Sequence, residues 1–374
     1  PWTVCSPNTA GKYTAAGYFF ALEIFKRTGV PIGLINSSVG GTPIQAWTAP
    51  EGLDMIPELK EERARWLGSI DKYRKALPKA MDDMDKWMSD TTVALKTGAN
   101  VNPAPPMPDH PSNAWYGWMH LYNSMIHPLI RVPIKGALWY QGENNGSENE
   151  LYYQKMRALI GGWRKVWGQE DLPFYFVQLA NLDEYGGIRE NGTVAGGSGF
   201  SGIREAQLKA CRTIPNSGMA VDIDIGESRD CHPHNKYDVG LRLGRWALNR
   251  DYGFKDVVVS GPLYKEMKIE GGKIRVSFDY VAGGLMVGKK DYREPVVADK
   301  DGKLKRFAIA GADKVWHWAD AVIDGETVVV SSPEVKEPVA VRYAFSMDPV
   351  GANLYNKEGL PASPFRTDNW EIKP

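Results

Sequence analysis

Between Tyr13 and Arg27 the apolar residues Ala16, Phe19, Phe20, Leu22, Ile24 and Phe25 recur at helical spacing, and Gly29 supplies a stop, so the pattern predicts a helix. Pro31 to Ser37 is then a short apolar run that predicts a buried strand ending in Ser38-Val39-Gly40-Gly41-Thr42. Similar runs at Ile134 to Tyr140, Phe174 to Leu179 and Met219 to Ile225 predict three more strands. Helical patterns at Asn149 to Trp167, Ile203 to Arg212 and Lys236 to Arg250 separate or follow them. Strands alternating with helices of this length predict an α/β fold, a mainly parallel sheet flanked by helices. In such sheets ligands bind beyond the carboxyl ends of the strands. Gly40-Gly41, Gln141-Gly142-Glu143 and Asp230-x-His232 all follow predicted strand ends.

Two stretches break the alternation. Residues 50–111 turn charged, Met-rich and helical and leave through a Pro-rich segment, which predicts an insertion. After Gly253 short alternating strands appear, divided by Glu270-Gly271-Gly272, Asp301-Gly302 and Asp324-Gly325, and predict a β-sandwich-like region. The expected domains are therefore 1–253 and 254–374.

Charge removes several function classes. Lysine plus arginine and aspartate plus glutamate stand at 45 each, so nothing selects a nucleic acid or an anionic membrane surface as partner. No apolar run approaches the roughly 18 residues that a membrane span requires. Cys5, Cys211 and Cys231 form no CxxC pair and argue against a disulfide scaffold. Pro1 is not an initiator residue, and a longer polypeptide is expected.

His232 is the leading candidate for chemistry. A histidine between a strand and a helix, with a carboxylate beside it to hold its tautomer, suits a general base. Asp230 is the nearest acid in sequence, with Asp222, Asp224 and Glu227 as rivals. Asp230, Cys231, His232 and His234 could alternatively suggest a metal site, but donors so close in sequence do not easily converge on one ion, and neither a metal nor a cofactor is expected. Gly40 and Gly41 leave backbone N–H groups open to an oxyanion, and Gln141 could add a side-chain amide. Glu143 could act as an acid or as a structural acceptor. Trp115, with Tyr116, Trp118 and Tyr122, could floor a sugar site or cover core. A serine esterase also needs a nucleophile, yet no Gly-Asp-Ser, Gly-Gln-Ser or Gly-x-Ser-x-Gly string occurs.

The conjunction of motifs is specific. Asn36-Ser37-Ser38-Val39-Gly40-Gly41-Thr42-Pro43-Ile44-Gln45-Ala46-Trp47, Leu121-Tyr122-Asn123-Ser124-Met125-Ile126, Trp139-Tyr140-Gln141-Gly142-Glu143-Asn144-Asn145, Asp230-Cys231-His232-Pro233-His234-Asn235-Lys236 and the closing Gly359 to Asp368 run resemble the sialate O-acetylesterase family. That resemblance implies an SGNH-type hydrolase that removes O-acetyl groups from sugars without a cofactor; a periplasmic or secreted location is expected. Carried over, Gly41 or Gly40 matches the family's oxyanion glycine, Gln141 takes the place where other SGNH enzymes use asparagine, and His232 is the base; Asp230 is expected to orient His232, and Glu143, Asn144 and Trp115 are expected near substrate. The family's serine lies in a Gly-Gln-Ser-Asn-Met string, so the nucleophile is expected on an N-terminal segment or chain that precedes Pro1. Relatives also deacetylate plant cell-wall oligosaccharides such as xylan or xyloglucan, and a non-catalytic carbohydrate binder is the alternative of another class.

Overall fold

The computed structural model describes residues 2–111, 117–183 and 200–372. The helices are α1 (Ala15–Thr28), α2 (Pro50–Asp54), α3 (Lys60–Thr97), α4 (Glu150–Trp167), α5 (Phe200–Thr213) and α6 (Lys236–Arg250). Strands β1 (Ala137–Trp139), β2 (Phe174–Gln178) and β3 (Ser217–Val221) precede a β-rich portion. That portion runs through β4 (Leu263–Glu270), β5 (Lys273–Asp279), β6 (Leu285–Lys289), β7 (Val297–Ala298), β8 (Phe307–Ala310), β9 (Trp316–Trp318), β10 (Asp320–Asp324), β11 (Thr327–Ser331), β12 (Ala340–Tyr343), β13 (Leu354–Asn356) and β14 (Phe365–Arg366). Among the described residues, contacts divide the chain into two compact units. One draws on Pro1–Gly41, Pro133–Met156 and Gln169–Pro374, the other on Thr42–Val132 and Arg157–Gly168.

In the first unit β1, β2 and β3 form a parallel sheet in that order, with Ala137 opposite Phe174 and Phe174 opposite Ser217. Every residue of β2 and of β3 is buried, as expected for parallel strands covered on both faces. The core on one side joins Tyr175, Val177 and Ala220 to Ile24 of α1 and to Val239, Leu243 and Trp246 of α6. Gly240 makes the close α1–α6 approach possible: a Cβ there would stand 2.5 Å from that of Phe19 and 2.8 Å from the carbonyl oxygen of Ala16. Helices α4, α5 and α6 appear within a few residues of their predicted limits.

The strand predicted at Pro31 to Ser37 is corrected. The segment forms no strand among the described residues; Ile32 and Leu34 are half-buried while Gly33 and Ile35 are exposed. Its apolar alternation favours extended backbone, but a strand also needs a neighbouring ladder, and among the described residues β1 pairs with β2 alone. The predicted Met219 to Ile225 strand instead spans Ser217–Val221, because Asp222 to Ile225 closes a turn through the Ile225 amide and the Asp222 carbonyl.

The β-rich portion holds three antiparallel sheets, ordered β10-β11-β5-β4, β14-β12-β8-β9 and β13-β6-β7. Burial alternates along β5 and β11, so their sheet has one covered face, whereas every residue of β8 and β12 is buried. The predicted Gly271 and Gly325 turns join β4 to β5 and β10 to β11, both glycines having φ +61°. This portion fastens to the parallel sheet through buried polar contacts. Gln178 at the end of β2 donates to Ser363 at 2.8 Å, and the fully buried Arg204 of α5 donates to the carbonyls of Leu179, Ala180, Ser346 and Met347. Each such bond satisfies a group whose burial would otherwise be costly.

In the second unit α3 runs from Lys60 to Thr97, as the charged 50–111 stretch predicts, and none of its residues is buried. Trp163 there donates from its indole to the carbonyl of Trp47 at 3.0 Å.

Candidate active site

The loop between β3 and α6 carries most of the titratable groups. Asn235 caps α6 by accepting from the Asp238 amide at 3.1 Å, which fixes where the helix begins and the loop ends. The Asp224 side chain is 2% exposed and clasped by both terminal nitrogens of Arg242 at 2.6 and 2.7 Å, with the Tyr355 hydroxyl at 3.3 Å. Glu227 takes the backbone amide of His234 at 2.9 Å and faces its ring at 2.8 Å, which holds the Glu227 carboxyl below its usual range.

Asp230 does the same for His232. It accepts the His232 backbone N–H at 2.8 Å, and its Oδ1 lies 3.2 Å from His232 Nδ1. The backbone donor first, and then the ring, keep the Asp230 carboxyl low. Of the rival acids, Asp224 is committed to Arg242 and Glu227 to His234, while Asp222 is fully buried. Asp230 is the carboxylate in contact with His232 among the described residues. The His232 side chain is 81% exposed, so its far nitrogen is open to a reactant.

Asp222 occupies a different environment. It is fully buried, its closest cation is Arg242 at 3.6 Å, and neither carboxylate oxygen has a hydrogen-bond partner among the described residues. Burial dominates over the attraction of Arg242, whose charge is already shared with Asp224, and pushes the Asp222 carboxyl up to about 8.

The turn after β1 is the second element. The Gln141 side-chain amide donates to Asn145 at 2.7 Å, and the buried Tyr152 hydroxyl is directed at the Gln141 carbonyl and Oε1, at 2.8 and 3.0 Å. Glu143 is half-buried, and burial raises its carboxyl, opposed first by hydrogen bonds from the backbone of Glu143 and Gly142 and then by the charges of His232 and Lys236. The exposed Asn144 donates from Nδ2 to the Gly41 carbonyl at 3.0 Å. Gly41 has φ +70°, a left-handed conformation that a side chain would strain, so this bond fastens the glycine turn to the turn after β1.

Sequence reading missed Tyr140 and Lys236, although both lie inside the motifs quoted for the resemblance. Lys236 Nζ sits 3.2 Å from the Tyr140 hydroxyl and 4.5 Å from the centre of its ring. Burial pulls the Lys236 ammonium down, while Asp222, Glu143, Asp230 and Glu227 oppose that pull. Lys236 is thus a cation on which acids of both loops act. Period and spacing could not reveal this, because the pairing joins the end of β1 to the start of α6.

The expectation is that four donors at 230–234 do not easily all converge on one ion, and three of the four lie near one another. Asp230, Cys231 and His232 bring their donor atoms within 4.8 Å of one another, whereas His234 faces Glu227. Trp115 and Tyr116 lie outside the described residues. Trp118 and Tyr122 are 6% and 3% exposed, so these two belong to the core of their unit and do not floor a sugar site.

The family model for carbohydrate esterase, sialic acid-specific acetylesterase, matches residues 111–248. Sialate O-acetylesterase of Rattus norvegicus is 28% identical over 382 residues, covering 94% of this chain and 63% of the relative. That of Homo sapiens is 28% identical over 380 residues, covering 94% and 60%. The chain therefore spans less than two thirds of the length of these curated relatives. The crystal structure of a carbohydrate acetylesterase from Xanthomonas citri matches with a TM-score of 0.75 and 37% identity, over 99% of this chain and 68% of that one. In the described residues no helix is long and apolar enough to cross a membrane. At 37% identity over two thirds of its length, the Xanthomonas citri match means that the chain belongs to the carbohydrate acetylesterases, and its residues 111–248 are similar to the sialic acid-specific acetylesterase model.

Proposed function

We propose that the protein hydrolyses O-acetyl esters on sugars as a serine esterase, with His232 as base and Asp230 as its orienting acid. The single observation that carries this reading is the Asp230–His232 contact at 3.2 Å, with the outer face of the ring exposed. A serine hydroxyl attacks the acetyl carbonyl while His232 Nε2 takes its proton, and Asp230 stabilises the imidazolium through Nδ1–H. The same proton then passes to the departing sugar oxygen. Water, activated by the freed base, releases acetate in the second half.

The oxyanion is held by the backbone N–H groups of Gly40 and Gly41 and by a side-chain amide. Gln141 and Asn144 are the two amides at this turn. Gln141 also positions Asn145 and Tyr152, and Asn144 stands directly against the glycine turn. Glu143 and Trp115 are assigned to substrate contact, Glu143 because it lies within the electrostatic reach of His232. No serine hydroxyl hydrogen-bonds His232 among the described residues, and the nucleophile is assigned to an N-terminal segment or partner chain carrying a Gly-Gln-Ser string. The family points to acetylated sialic acids or related sugars outside the cytoplasm, with acetylated xylan or xyloglucan as the second substrate class.

The test is acetate release from O-acetylated sialic acid and from acetylated xylan by the full-length enzyme and its His232→Ala variant. Equal release by both proteins would remove His232 from the mechanism, and release from xylan alone would reassign the substrate.

A further inference from the structure

We propose that Asp230, Cys231 and His232 form an inhibitory Zn²⁺ site in which the metal captures the base. The three side chains come from consecutive residues, and their donor atoms all lie within 4.8 Å of one another. Cys231 Sγ is 3.4 Å from His232 Nδ1, and Asp230 Oδ1 is 3.2 Å from the same nitrogen. A tetrahedral zinc ion with bonds of about 2.3 Å to sulfur and about 2.0 Å to nitrogen and oxygen has edges of about 3.5 Å (S to N) and about 3.3 Å (N to O). The two observed separations therefore match two edges of one zinc tetrahedron before any side chain moves. Thiolate with imidazole selects zinc-like ions over magnesium or calcium.

The neighbouring His234 and Glu227 are occupied with each other at 2.8 Å, which leaves a three-ligand site with its fourth position for water. The Cys231 thiol loses its proton to solvent, since a coordinating thiol is deprotonated. His232 gives the Nδ1 lone pair to the metal and carries its hydrogen on Nε2. That tautomer cannot accept a proton from a nucleophile, so the bound ion switches the base off. Cys231 has no part in the proposed hydrolysis, and its position beside the ring is what makes the site.

The binding arm stands independently of the esterase reading; the inhibitory arm rests on it. Binding is read on the 374-residue chain as Cys5→Ser, because Cys5 is an exposed thiol. Cd²⁺ titration should give a saturable thiolate-to-cadmium charge-transfer band, displaced by Zn²⁺ and abolished by Cys231→Ser. His232→Ala should weaken binding ~10-fold or more, the scale on which even outer partners of metal ligands act. A band that survives Cys231→Ser, or one indifferent to His232→Ala, would overturn the site. In the full-length enzyme, saturating Zn²⁺ should lower kcat on an aryl acetate by at least ~10²-fold, the contribution of a positioned base. A chelator should restore it, and Cys231→Ser should be active and resistant to Zn²⁺. Zn²⁺ that binds with no loss of turnover would overturn the inhibitory role and count against His232 as base, while the binding data still identify the site.

Discussion

Asn144 donates from its side-chain amide to the carbonyl of Gly41 at 3.0 Å, joining residues 103 apart in sequence. The glycine turn at 40–41 and the turn after β1 are thereby held as one surface. Two amides of that second turn compete for the role of oxyanion donor, and their surroundings separate them. Gln141→Ala should lower kcat about 10²-fold, as loss of a single oxyanion donor does, and should also lower Tm, because Asn145 and Tyr152 lose a partner. Asn144 is exposed, so Asn144→Ala should leave Tm nearly unchanged. If the larger kcat loss falls on Asn144→Ala, with KM unmoved, Asn144 is the donor and Gln141 its support.

His232→Ala in the full-length enzyme should cut kcat on an aryl acetate by at least ~10²-fold without loss of folding, since the ring is exposed. Asp230→Asn should also lower kcat at unchanged Tm. Asp224→Asn is the contrasting variant, because Asp224 and Arg242 form a buried bidentate pair. Breaking one partner of such a pair costs about 3–5 kcal/mol, so the damage should appear in thermal unfolding. A stable Asp224→Asn protein whose turnover collapses would transfer the orienting role from Asp230 to Asp224.

Asp222 makes stability depend on pH in an uncommon direction for a carboxylate. Its folded value is raised from 3.8 to about 8, so between these limits the folded chain keeps a proton that the unfolded chain has released. The stability attached to that proton is full below about pH 4 and is lost as pH rises through about 8. Asp222→Asn cannot ionise. Relative to the variant, the unaltered protein should therefore lose Tm as pH climbs from about 4 to about 9. Parallel Tm curves across that range would show that Asp222 ionises as easily folded as unfolded.

The α/β layer was legible because its signals are local. The buried run at Phe174–Gln178 and the 3.6-residue period of α6 each specify an element without reference to anything distant. Asp230 and His232 were legible for the same reason, being two residues apart in the loop that follows a strand. Tyr140 with Lys236 and Asn144 with Gly41 join residues about 100 positions apart, and no period encodes such a meeting. Pro31 to Ser37 was misread because apolar alternation reports extended backbone and says nothing of a partner strand. Trp118 and Tyr122 illustrate the aromatic ambiguity: composition cannot tell a stacking surface from core, and burial decides it.

A fluorophosphonate probe bears on the nucleophile directly. It reacts with a serine whose hydroxyl is activated by a base, and His232 has Asp230 and Cys231 as its hydrogen-bond neighbours among the described residues. On the proposed assignment, the adduct in an enzyme that carries the Gly-Gln-Ser string should map to that string's serine. The 374-residue chain alone should stay unlabelled and should hydrolyse aryl acetates only weakly, since an oxyanion site without a nucleophile retains a small part of the catalysis. Ser198, flanked by Gly197 and Gly199 and outside the described residues, is the in-chain competitor to watch. An adduct on Ser198 that disappears in His232→Ala would keep the base assignment and bring the whole catalytic set inside this chain, whereas labelling that persists in His232→Ala would separate the reactive serine from the Asp230–His232 pair.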